Sequence, residues 1–154
     1  CAYKKYGNNK PMVVIDFGTA TTFDVLTGKG ELIGVVIAPG IKTALEGLVS
    51  NTAQLPMIEL VAPKSVIAKS TQECMQAGVI FGFAGLVENI VKKIKNELNV
   101  DEISVIATGG MGEIIAKELH AVNYGFVLSS HIENTPRDVQ QFFGSRSHRW
   151  RTHY

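Results

Sequence analysis

A run of β-branched and apolar residues, Met12-Val13-Val14-Ile15, passes directly into Asp16-Phe17-Gly18-Thr19-Ala20-Thr21-Thr22. The run reads as a buried strand. Its end delivers one carboxylate, a glycine and the hydroxyls of Thr19, Thr21 and Thr22 into a single turn. Gly18 lets the backbone turn sharply and admits a bulky anion close to the main chain. Hydroxyls and nearby amides can donate to phosphate oxygens, and Asp16 can hold a cation that offsets phosphate charge. That is the chemistry of a nucleotide-phosphate loop. The competing reading is a tight turn in a threonine-rich hairpin.

At 154 residues the chain has room for one domain with a real core. Hydrophobic residues at 45% and charged residues at 19% describe a globular chain. A net charge of +1 argues against nucleic acid as the main partner, because phosphate-backbone binding rests on a basic excess. The apolar stretch over residues 77–87 is too short to span a bilayer, so no membrane partner is expected. Cys1 and Cys74 have no metal or redox spacing, which makes a reducing cytoplasm the expected setting.

The remaining punctuation predicts alternating strands and helices. Residues 23–26 and 31–38 continue as strands about the turn Thr27-Gly28-Lys29-Gly30, giving a β-meander. Pro39-Gly40 stops the third strand, and residues 41–50 read as a helix with Ile41, Leu45 and Leu48 on one face. A short apolar segment over 57–61 follows. Ser70 or Thr71 then caps a long helix reaching about Leu98, with Glu73 in its first turn. Val87, Val91, Ile94 and Leu98 form the core stripe of that helix. Gly78, Gly82, Gly85 and Asn89 form a second stripe, expected to pack closely against another backbone. Residues 103–107 are a strand that runs into Thr108-Gly109-Gly110-Met111-Gly112 and a helix over 113–119. Strand, glycines and helix N-terminus make a second place where backbone can approach a ligand.

These motifs together resemble type III pantothenate kinases. The likeness rests on Val14 through Asp24, on Ile37-Ala38-Pro39-Gly40-Ile41, on Ser70-Thr71 opening the long helix, and on Thr108-Gly109-Gly110. It covers residues 1–119 in order. The resemblance implies an α/β fold of the ribonuclease-H-like, actin-like ATPase type, with a mixed sheet, a β-meander and flanking helices. It implies ATP-dependent phosphorylation of pantothenate, the first step of coenzyme A biosynthesis. ATP, Mg²⁺ and a monovalent cation (K⁺ or NH₄⁺) are the implied cofactors, and a homodimer the implied assembly. By position, Asp16 matches the monovalent-cation ligand, and Gly18 and Thr19 match ATP-contacting residues. Thr71 matches a pantothenate contact, and Gly109 and Gly110 match the turn near the nucleoside. Thr71 could equally serve only as an N-cap. Asp24 is expected to be a solvated or hydrogen-bonded strand residue without chemistry, and Glu46, Glu73 and Glu88 to be ordinary helix-surface charges.

The departures set the other expectations. The family's first phosphate loop and the Gly-x-Asp-Arg segment that carries its catalytic base have no counterpart in these 154 residues. The chain opens on Cys1, and residues 2–7 read as the last turn of a helix. The expectation is a second ribonuclease-H-like domain over 1–120, inactive by itself because the base lies upstream of Cys1. Residues 121–154 are expected to be an atypical basic tail, with Arg and aromatic residues interleaved over 145–154. A foreign or frameshifted segment and a nucleic-acid arm both answer to that composition. The alternative to the kinase is a non-catalytic, nucleotide-binding regulator similar to the Bvg accessory factors.

Overall fold

The computed structural model describes residues 9–119 and the backbone of 126–128. Alternating burial builds a meander from β1 (Met12–Phe17), β2 (Ala20–Leu26) and β3 (Leu32–Pro39), each antiparallel to the last. β2 starts at Ala20 rather than at the expected residue 23, because Thr22 pairs with Asp16 and Thr21 with Phe17. Only Gly18 and Thr19 remain outside the two strands. The next turn is tied by Thr27, whose hydroxyl accepts from the amides of Lys29 (3.2 Å) and Glu31 (3.1 Å). Gly30 takes the left-handed φ of 83° there, a conformation open to glycine.

Helix α1 (Ile41–Ser50) buries Ile41 and Leu45. Leu48 is 40% exposed, so the core face is narrower than the sequence suggested. Residues 51–70 hold no helix or strand. In the expected apolar segment, Met57 and Val61 stand in solvent and only Leu60 packs against the core. The buried Gln76 side chain fastens this loop by donating to the Glu59 carbonyl (2.7 Å).

Helix α2 (Thr71–Glu97) is capped by Ser70, whose hydroxyl accepts from the Glu73 amide (3.3 Å) and donates to the Glu73 carboxylate (2.8 Å). This reciprocal pair satisfies an orphan donor of the first turn. Asn99, at a left-handed φ of 51°, ends the helix as glycine commonly does. Val87, Val91 and Ile94 are buried and Leu98 packs at the edge, as the stripe predicts. Gly78, Gly82 and Gly85 are exposed, and a Cβ added at any of them meets no atom within 4 Å among the described residues. The expected close packing of that stripe is therefore not made there. The glycines cost roughly 1 kcal/mol each, whereas each large apolar side chain buried on the opposite face returns about 1.5–3 kcal/mol. The buried face decides the helix. α2 is long and apolar enough to cross a membrane by length and composition, which the stretch over 77–87 alone did not suggest. Its buried Ile80, Phe83, Val87 and Val91 belong to the core, so it reads as a core helix.

β4 (Ser104–Thr108) lies parallel to β1, pairing Val13 with Val105 and Asp16 with Thr108. The Ser104 amide donates to the Pro11 carbonyl (2.9 Å), and Lys10 pairs with Glu102 beside it. Helix α3 (Gly112–Leu119) and β5 (Phe126–Leu128) follow, with β5 parallel to β4. The sheet thus continues past the expected boundary at residue 120, and a strand stands inside the segment read as a tail. The expected helix end over 2–7 and the basic stretch over 145–154 lie outside the described residues.

Among the described residues the strands form one mixed sheet in the order β3-β2-β1-β4-β5. Val13, Ile15, Phe17, Phe23, Val25, Val105 and Ala107 face α1, α2 and α3 and make the core with Ile41, Ile80, Phe83, Val87 and Ile115. The intervening residues of β1, β2 and β4, among them Asp16, Thr22, Asp24 and Thr108, share the opposite face.

Thr21 lies on the helix-covered face with its hydroxyl buried and unpaired. An unsatisfied buried hydroxyl costs about 1–3 kcal/mol. Thr21→Val is expected to hold or raise the urea midpoint. A marked fall in that midpoint would show that the hydroxyl has a partner.

Candidate functional site

β1 and β4 run parallel and end together, so the Gly18-Thr19 turn and the Gly109-Gly110 turn meet at one edge of the sheet. Ligands of open α/β sheets gather at such carboxyl ends. The second turn lies against the last residue of β1 through main chain. Gly109 takes a φ of +99°, and a Cβ there would lie 2.6 Å from the Phe17 carbonyl oxygen. Gly110 faces open space, where a Cβ meets nothing within 4 Å among the described residues. Gly109 is therefore demanded by the approach to β1, and Gly110 leaves room beside it.

The Pro39-Gly40 segment fastens the first turn from the other side. The Gly40 amide donates to the Thr19 carbonyl (3.1 Å), and the Thr43 hydroxyl, one turn into α1, donates to the same oxygen (2.7 Å). A Cβ on Gly40 would fall 2.2 Å from that oxygen and 2.4 Å from the Gly18 carbonyl. Real Cβ atoms do not approach backbone so closely. The Gly18 amide closes the turn on the Ala20 carbonyl (3.1 Å). Gly18 and the Thr19 side chain remain exposed, as a ligand-facing turn requires.

Asp16, at the end of β1, is partly buried, and burial pushes its carboxyl above the usual range. Register puts Thr22 and Thr108 on either side of it, on the same sheet face. Asp24 belongs to this face too. It pairs with Val14, which makes it the diagonal neighbour of Asp16 at about 7–8 Å between Cα atoms. Burial first, and the Asp16 charge second, push Asp24 up to about 6. Its Oδ1 is buried and accepts no hydrogen bond. Asp24 as a whole is only partly buried, so the expectation of a solvated or hydrogen-bonded side chain fails for this one oxygen. The signal was available in the spacing, because a hairpin closing at Gly18-Thr19 sets Asp16 against Thr22 and brings residue 24 to the same face.

A carboxylate with an orphaned, buried oxygen, a second carboxylate and flanking hydroxyls fit a cation that takes several oxygen ligands. Among the described residues no three His, Cys, Asp or Glu side chains converge on one point.

Thr71 stands apart, exposed at the first position of α2, and Ser70 does the capping that was its alternative role. The structure gathers Asp16, Gly18, Thr19, Gly109 and Gly110 at one sheet edge. No hydrogen bond among the described residues ties Thr71 to them.

The family model described as type III pantothenate kinase matches residues 1–93. The chain belongs to that family. A type III pantothenate kinase of Thermobifida fusca is 46% identical over 124 residues, which are 79% of this chain and 47% of the relative. One of Frankia casuarinae is 49% identical over 117 residues, 76% of this chain and 46% of the relative. The chain thus spans about half the length of the pantothenate kinases it matches. A solved structure of a conserved candidate Baf family transcriptional activator from Campylobacter jejuni superposes with a TM-score of 0.56 at 18% identity. That superposition covers 96% of this chain and 62% of the other, and it shows a shared fold.

Two outcomes follow for the family turn. Gly40→Ala is expected to cost about 2 kcal/mol, within the range for overpacking a closed site, whereas Gly110→Ala leaves the denaturation midpoint unchanged. Equal effects would overturn the assignment of Gly40 as the fastening point. The second outcome concerns pH. Asp24 holds its proton more tightly folded than unfolded, so its contribution to stability is full below about pH 4 and is lost as pH rises through about 6. In choline buffer the melting temperature is expected to fall between about pH 4 and about pH 7, and to fall less in Asp24→Asn. An identical pH profile for both would refute the burial of that charge.

Proposed function

We propose that this chain carries the nucleotide-phosphate half of a type III pantothenate kinase, phosphorylating pantothenate at the expense of ATP. The observation behind the proposal is the meeting of the two turns at the ends of β1 and β4, one bearing Asp16, Gly18 and Thr19 and the other Gly109 and Gly110. The sheet order, with an antiparallel meander followed by strands parallel to β1, suits a ribonuclease-H-like domain of the actin-like ATPase kind. Relatives at 46–49% identity bear the kinase name.

In this reading the exposed Gly18-Thr19 turn receives the phosphates and Thr19 contacts ATP. Gly109 and Gly110 keep side chains away from the nucleoside. Thr71, freed from capping, contacts pantothenate at the start of α2, where the helix dipole favours its carboxylate. Asp16 holds the monovalent cation. Bound Mg²⁺ supplies charge neutralisation on the transferring phosphoryl group. Phosphoryl transfer is mainly positioning and charge stabilisation, with a carboxylate taking the proton of the attacking hydroxyl. No Gly-x-Asp-Arg stands in these 154 residues, so we assign no catalytic base among them. Turnover in this reading needs a family-like N-terminal half, and the assembly is a cytoplasmic homodimer. The regulatory alternative has behind it only a fold likeness at 18% identity.

The test is MgATP-dependent phosphorylation of pantothenate by the chain alone and by the chain joined to a family-like N-terminal half. Turnover is expected only in the joined form. Thr19→Ala there should lower kcat by about a hundredfold, the scale of losing one transition-state donor. Nucleotide binding without turnover in the joined form would overturn the kinase reading in favour of the regulator.

A further inference from the structure

We propose that Asp24 is a second carboxylate of the Asp16 cation site, positioning a potassium-sized monovalent ion from the neighbouring strand. The proposal rests on the family reading of Asp16 and extends it to a residue that the reading leaves without a role. Antiparallel pairing sets Asp16 opposite Thr22 and Asp24 opposite Val14, so both carboxylates project from one sheet face. Thr108, opposite Asp16 on β4, adds a hydroxyl to the same face.

The deciding observation is the Asp24 Oδ1. It is shut off from solvent and receives no hydrogen bond, although burying an unpaired acceptor is unfavourable, the more so when it is charged. No Lys, Arg or His among the described residues forms an ion pair with Asp24 or Asp16. Two carboxylates that share a face without a cationic partner repel each other. A cation between them would remove that repulsion and give the orphaned oxygen a partner to coordinate. Asp24 need not touch ATP. Its part is to bind the ion directly, and through the ion to fix the Asp16 end of the phosphate turn.

Thermal unfolding of the full chain in potassium chloride, against choline chloride at equal ionic strength, reads the site without turnover. Potassium is expected to raise the melting temperature saturably. Asp24→Asn should weaken the apparent potassium affinity by about tenfold or more, and Asp16→Asn should abolish the shift. Asp24→Asn removes an unpaired charge and is expected to fold. Asp24→Glu, which keeps the charge, should retain part of the response. A shift lost in Asp16→Asn but unchanged in Asp24→Asn would overturn this proposal and leave the Asp16 reading intact. A shift unchanged in both variants would overturn both, as would no potassium-specific shift in the parent chain.

Discussion

The approach of main chain to main chain at Gly40 and Gly109 governs this structure. Both glycines press on the same few peptide units, 17 to 19, from opposite sides. Gly40 sits on the Gly18 and Thr19 carbonyls and Gly109 on Phe17. Neither position has room for a Cβ. The turn between β1 and β2 is thereby fixed without occupying its outer surface, where Gly18 and Thr19 stay exposed. A turn held by its own side chains would have spent those polar groups on fastening. Holding it by backbone leaves those groups free.

The sheet has two unlike faces for a related reason. α1, α2 and α3 cover the face of Val13, Ile15 and Phe17, and the apolar area buried there supplies the bulk of the stabilisation. The opposite face at β1 and β2 carries Asp16, Thr22 and Asp24. Burial raises both carboxyls above their ordinary range, and an oxygen without a partner is left on Asp24. Raised carboxyls and an unpaired acceptor on one face lower stability relative to an apolar face. The long α2 helix shows the same balance. Its core stripe is buried while its glycine stripe lies open.

Much was written locally. The strand before Asp16, the glycine turn at residue 30, the Ser70 cap with Glu73 and the core stripe of α2 each follow from spacing of 2 to 4 residues. Errors fell where a local pattern had no means of knowing its neighbour. Leu48 has helical spacing with Leu45 yet stands 40% exposed. The apolar segment over 57–61 leaves Met57 and Val61 in solvent and packs only Leu60 against the core. Phe126–Leu128 joins the sheet at β4 although the sequence around it reads as a tail, because a parallel edge strand takes its place from a distant partner.

The sequence by itself determined which residues could bind: Asp16, Gly18 and Thr19 after one strand, Gly109 and Gly110 after another, and a threonine at a helix start. Those choices follow from side-chain chemistry and the conformational freedom of glycine, which are local properties. Only the tertiary structure decided that the first two groups stand together at one end of the sheet, that Gly40 fastens the first of them, and that Asp24 shares a face with Asp16. The pairing of β4 with β1 joins residues more than ninety positions apart. Register across strands, and not order along the chain, sets which polar groups share a face.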